Sequence, residues 1–72
     1  MKSAADLKSG QSAVIHGFSD NIVSIKLMEM GCLPGSPIKM NFSAPLGDPL
    51  SFDVAGYNLT LRRSEASYIL VE

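Results

Sequence analysis

The side chains able to do chemistry are few and scattered. The 72-residue chain carries one histidine, His16, and one cysteine, Cys32. A metal centre needs several His, Cys or carboxylate ligands at set spacing, and neither residue has such company. His16 therefore reads as a surface or rim residue, and Cys32, flanked by Leu33, as a small hydrophobe. His16, Cys32 and the acidic residues could hold a transition metal only in a site shared between proteins. The methionines Met28, Met30 and Met40 invite a soft-metal reading, yet they sit where core or contact residues are expected. Adaptable binding surfaces also favour methionine. Serines, His16 and carboxylates are present, but no motif fixes their mutual geometry, and no glycine-rich phosphate loop occurs. The expectation is no catalytic residue, no cofactor and no resident metal. Arg62-Arg63 is the only local basic pair and reads as a solvated strand end. Lys26 and Lys39 could join it on one face.

What remains is association. Asp20 to Gly35, DNIVSIKLMEMGCLPG, reads as a short helix with a marked start and stop. Asp20 can cap the first turn. Gly31 supplies the left-handed exit, and Pro34 forbids continuation. A Schellman-type stop would bring Leu27 and Cys32 together. At about 100° per residue, Val23, Leu27 and Met30 form one apolar stripe, and Ile25, Met28 and Cys32 a second on another side. A surface helix normally needs one apolar face. Either both stripes are core, or one packs on strands and the other meets a partner. The accessibility of Met28 separates the two. The expected contact patch is Ile25, Met28, Glu29, Met30 and Cys32, with Leu33 at its margin. The same stripe could support a weak homodimer.

Composition narrows the class. Hydrophobic content of 46% and charged content of 18% mark a folded chain, and its length allows a single domain, residues 1–72. Six basic residues against seven acidic ones give a net charge of −1. A nucleic-acid-binding barrel needs a basic groove with stacking aromatics; here there is no tryptophan and most aromatics fall on inward phases. A lone cysteine allows no internal disulfide, which fits a reducing cytoplasm. MKSAADLKSG has no apolar signal-peptide region, and no run approaches the ~18 apolar residues of a membrane span. A cytoplasmic protein without direct membrane insertion is expected.

The elements that must position the helix read mostly as strands. Ser3 to Asp6 has capping-box spacing for one helical turn, with Leu7 as its buried anchor. Gln11 to Phe18 is a strand whose register needs a bulge at Gly17. Pro37 to Ser43 alternates cleanly, with Ile38, Met40 and Phe42 inward. Ala44 to Pro49 is dense in turn residues. Leu50 to Val54 and Tyr57 to Arg62 form a hairpin around Ala55-Gly56. Ser64 can cap a single turn, and Tyr68 to Glu72 closes the chain with Ile69 and Val71 inward. Five short strands need protected edges, which a small, partly open barrel provides. A one-turn helix before the last strand is common in SH3-like barrels. The predicted fold is mainly β: a small SH3-like five-stranded barrel with a short α-helix inserted between strands 1 and 2.

One ordered set of short motifs runs along the chain: Leu7 to Gly10, Ala13 to Ile15, and the helix end Lys26 to Gly31 followed by Leu33-Pro-Gly35. Ala44-Pro-Leu-Gly-Asp-Pro49, Gly56-Tyr57, Leu59 to Arg62 and Glu65-Ala66 complete it. In these motifs the sequence resembles the FeoA family, small accessory proteins of bacterial ferrous iron transport. The resemblance implies an SH3-like barrel and no enzyme activity. It implies a role with the membrane transporter FeoB, whose cytoplasmic part carries a GTP-binding domain, and hence recruitment to the inner membrane. Binding, regulation of nucleotide hydrolysis and complex assembly stay open. Lys26 stands where an arginine is common, which keeps the charge and loses the planar fork. The same barrel occurs as the C-terminal domain of metal-dependent transcriptional repressors, so a free-standing regulatory module is the alternative.

Overall fold

The structure, a computed structural model, describes residues 2–72; Met1 lies outside them. Six antiparallel strands form one sheet in the order β1-β6-β2-β3-β4-β5. They are β1 (Lys2–Ser3), β2 (Ser12–Phe18), β3 (Pro37–Ser43), β4 (Leu50–Val54), β5 (Tyr57–Leu61) and β6 (Ile69–Val71). Two helices interrupt them, α1 (Asn21–Glu29) and the single turn α2 (Arg63–Ala66), and a 3₁₀ turn spans Ala4–Asp6. The mainly-β fold with a helix between two strands is as expected. The sixth strand is not: Lys2-Ser3 has no apolar pattern, and only its pairing with β6 makes it a strand. The sheet does not close, since β5 and β1 are its two ends.

Strand β2 organises the sheet by serving two partners. Ser12–Val14 pair with β3, while Ile15, Gly17 and Phe18 pair with β6. The switch falls at a bulge that leaves His16 unpaired between Ile15 and Gly17, where the sequence asks for one. The N–H of Val14 reaches the carbonyl of Glu72 at 3.1 Å, and the reverse bond is 3.0 Å. The segment after α1 is stitched to the same place, with Gly35 N–H on the Ile15 carbonyl at 2.7 Å and Ile15 N–H on the Ser36 carbonyl at 2.9 Å.

Alternation places the core. Ile15, Ile38, Met40, Leu50, Phe52, Val54, Leu61, Ile69 and Val71 are buried, joined by Leu7 and Ala4 from the N-terminal turn. Phe42 departs from its expected inward phase. A second bulge lies between Met40 and Phe42, so Asn41 takes the extra position and Phe42 turns to the outer face opposite Ser51. One inserted residue reverses every side chain beyond it. The capping of the first turn is as read: Ser3 N–H and hydroxyl both donate to Asp6 Oδ2, at 3.0 and 3.2 Å. Capping of α2 differs. Glu65 accepts from Arg62 N–H at 2.9 Å and Asp48 accepts from Arg63 N–H at 2.9 Å. Ser64 does not cap it; its carbonyl accepts from the Ser67 hydroxyl.

Candidate functional site

Helix α1 is fixed at both ends by its own sequence. Asp20 Oδ1 accepts from the N–H groups of Ile22 and Val23, each at 2.9 Å. At the other end Gly31 takes φ +103°. Cys32 N–H then bonds the Leu27 carbonyl and Gly31 N–H the Met28 carbonyl, each at 3.0 Å. This is the Schellman pair, and the accompanying apolar contact is made by Leu27 and Cys32, both fully buried. Caps of this kind contribute about 1 kcal/mol each, so both ends of the short helix are fixed by local hydrogen bonds.

The two stripes have different fates. Leu27 is buried, and Val23 and Met30 pack half-buried against the core. On the other side Ile25 is 59% exposed and Met28 37%. Glu29 is exposed beside them, and Leu33, just past the stop, is 49% exposed. Met28 is therefore accessible, and the second stripe is a face open to solvent. Cys32 is the correction. The left-handed turn at Gly31 takes the chain off the helical phase, so Cys32 points into the core and presents nothing to a partner. Burial also pushes its thiol pKa up. Met30, also expected in the patch, is half-buried and packs against the core instead. Ile22 is 81% exposed and was absent from the expected patch; its spacing of three from Ile25 is the signal that identifies it. Ser24, between the two stripes, is buried with its hydroxyl donating to the Asn21 carbonyl at 2.7 Å. Lys26 flanks the face and binds Glu65 of α2 at 3.0 Å. The helical face thus brings together Ile22, Ile25, Met28 and Glu29, with Leu33 exposed just past its end.

The remaining candidates do not converge on it. His16 lies exposed at the β2 bulge with Nδ1 3.3 Å from Glu72 Oε1. Among the described residues no three His, Cys, Asp or Glu side chains gather around a common point. Lys39 stands opposite Asp53 in the β3–β4 ladder, whereas Lys26 pairs with α2, so the basic residues are not pooled. Arg63 has a structural task that sequence reading missed. Its Nε donates to the Gly47 carbonyl at 3.0 Å and its Nη1 to the Ala5 carbonyl at 3.1 Å. It ties the loop 44–49 to the N-terminal turn. Among the described residues no helix is long and apolar enough to cross a membrane.

Comparison with known proteins agrees with the fold and the motifs. The FeoA domain matches residues 2–72. A fusion of Fe(2+) transport protein A with the Fe(2+) transporter FeoB, from Porphyromonas gingivalis, is 38% identical over 69 residues. That match covers 94% of this chain, which spans only 8% of the fusion's length. The FeoA-like protein of Clostridium acetobutylicum is 35% identical with a TM-score of 0.90, over 99% of this chain and 84% of that one. FeoA of Stenotrophomonas maltophilia, solved with zinc, is 26% identical with a TM-score of 0.84, over 100% of this chain and 91% of that one. It is described as an SH3 domain protein and a candidate activating factor of ferrous iron transport. A manganese-dependent transcriptional repressor shares the fold at 14% identity and a TM-score of 0.88, over 99% of this chain and 40% of that one. With the domain matched from end to end of the described residues, and the antiparallel sheet and its inserted helix in place, this chain belongs to the FeoA family.

Proposed function

We propose that the chain is a non-enzymatic accessory protein of bacterial ferrous iron transport, which binds the cytoplasmic region of an FeoB-type transporter through the outer face of α1. The observation that carries this reading is the fused relative, in which a domain of this family and the transporter are one polypeptide. Fusion raises the effective concentration of two modules for each other, which serves modules that touch. The face itself supports the reading. A capped helix that leaves Ile22, Ile25, Met28 and Leu33 in solvent suits an apolar groove on a partner, and Glu29 offers one charge to a basic rim. The protein would then work on the cytoplasmic side, held at the membrane by its partner.

The test is a titration against the purified cytoplasmic region of the transporter, with and without guanine nucleotide. Saturable binding is expected. Ile25→Glu and Met28→Glu should each weaken it at least tenfold, about 1.4 kcal/mol, with the circular-dichroism melt unchanged. Full affinity in both variants would remove α1 from the interface. No binding in any nucleotide state would remove the transporter as partner. A nucleotide-dependent affinity would place the protein in the GTP cycle.

A further inference from the structure

The two ends of the sheet are unequal. One end, β1, is two residues long, and short edge strands are a common protection against unwanted pairing. The other end, β5, is a full five-residue strand, Tyr57-Asn-Leu-Thr-Leu61, with no charged residue in it. It pairs with β4 alone. The register decides which backbone groups face outward. Ala55 and Gly56 have φ of 49° and 90°, as in a two-residue type I′ turn, so the flanking pair Val54 and Tyr57 is hydrogen-bonded. Alternation then makes Phe52–Leu59 and Leu50–Leu61 the bonded pairs. Asn58 and Thr60 are left with N–H and C=O directed away from β4, and both are exposed.

We infer that β5 is the self-association surface of this protein, pairing antiparallel with β5 of a second copy about a two-fold axis through Leu59. A strand centred on Leu59 puts Asn58 opposite Thr60 of the second copy, and Thr60 opposite its Asn58. These are the residues whose free backbone groups can exchange both bonds. The side chains agree with that register. Leu59, half-buried in one copy, meets its own counterpart, and Tyr57, 76% exposed, stands at the position opposite Leu61, whose side chain stays in its own core. No like charges oppose one another along the strand, so nothing in it repels a second copy. A two-fold contact of this kind is closed and does not propagate. A single five-residue edge is a small contact beside the roughly 1,000 Å² of a constitutive interface, so the dimer forms at high concentration and separates on dilution. Strands β3 and β4 separate β5 from β2, on which α1 packs. Pairing therefore leaves the exposed face of α1 free in each copy.

Amide hydrogen exchange across a dilution series, with sedimentation in parallel, tests this on the intact chain. The amides of Asn58 and Thr60 should exchange at least tenfold more slowly at millimolar than at low micromolar concentration, as a dimer appears. Thr60→Pro deletes a donor that β4 does not use and should keep the chain monomeric throughout. Because proline could disturb the strand, the double change Asn58→Lys with Thr60→Lys gives an independent check. It places like charges opposite each other only in the dimer, and should also abolish it. A chain that stays monomeric at millimolar concentration overturns the inference. So does a dimer that survives both edge variants and is dissociated by Ile25→Glu, which would locate the contact on α1.

Discussion

Ala55 is the one non-glycine residue of the described chain with a positive φ. A left-handed conformation costs an L-residue with a Cβ about 1–2 kcal/mol, and asparagine tolerates it because its short side chain bonds locally. Ala55→Asn, which creates the preferred Asn-Gly turn, should stabilise the fold by about 1 kcal/mol. The melting temperature of a domain this size would rise by about 4–8 °C. An unchanged or lower melting temperature would show that the turn is not strained. Single residues also mark the limits of pattern reading. The alternation of Ile38, Met40 and Phe42 is regular, yet Phe42 faces out because one residue, Asn41, is spent in a bulge. Asn41 then donates to Asp53 Oδ1 at 3.0 Å, a contact that alternation alone does not encode. Cys32 was misplaced for a related reason. A helical wheel holds only while the helix lasts, and Gly31 ends it one residue earlier.

At the scale of elements, local chemistry was legible and pairing was not. The Asp20 cap, the Gly31 stop, the strand Pro37–Ser43 and the hairpin around Ala55-Gly56 all follow from residue types within a few positions. Strand β1 and the double allegiance of β2 depend on β6, from the opposite end of the chain, and no local signal announces them. For the candidate site, the open face of α1 was legible as a second apolar stripe, and Ile22 belongs to it by its spacing of three from Ile25. Arg63 shows the same divide. Its place beside Arg62 suggests a solvated pair, but the fork bridges Gly47 and Ala5. A lysine has the charge without the planar geometry to reach two carbonyls. Arg63→Lys should therefore lower stability by about 1 kcal/mol, read as a shift in the urea midpoint. A midpoint equal to the parent chain's would mean the tie is dispensable.

For the whole molecule, three carboxylates tie stability to pH. Asp6 is held below its ordinary 3.8 by the Ser3 backbone N–H and then the Ser3 hydroxyl. Asp53 is held below 3.8 by the Asn41 and Asn58 amides. Glu65 is held below 4.5 by the Arg62 N–H and then by Lys26. Each is lowered on folding, so its stabilisation is complete above those ordinary values and is lost as pH falls through the lower folded-state ones. Melting temperature should be insensitive to these groups at neutral pH and should drop once the pH passes below about 4. Asp53→Asn should blunt that drop, and a melt unchanged down to pH 2 would contradict the linkage. The sheet's connectivity bears on a different property, the order in which it assembles. The β3–β4–β5 meander joins near neighbours in sequence, whereas β1, β6 and β2 bring the two ends of the chain together. Closing a long loop must precede the bonds that reward it. The meander can therefore nucleate folding, and the half built on β6 completes it. A tighter turn at residue 55 should then act mainly by speeding folding, while a weakened Ile69 should mainly hasten unfolding.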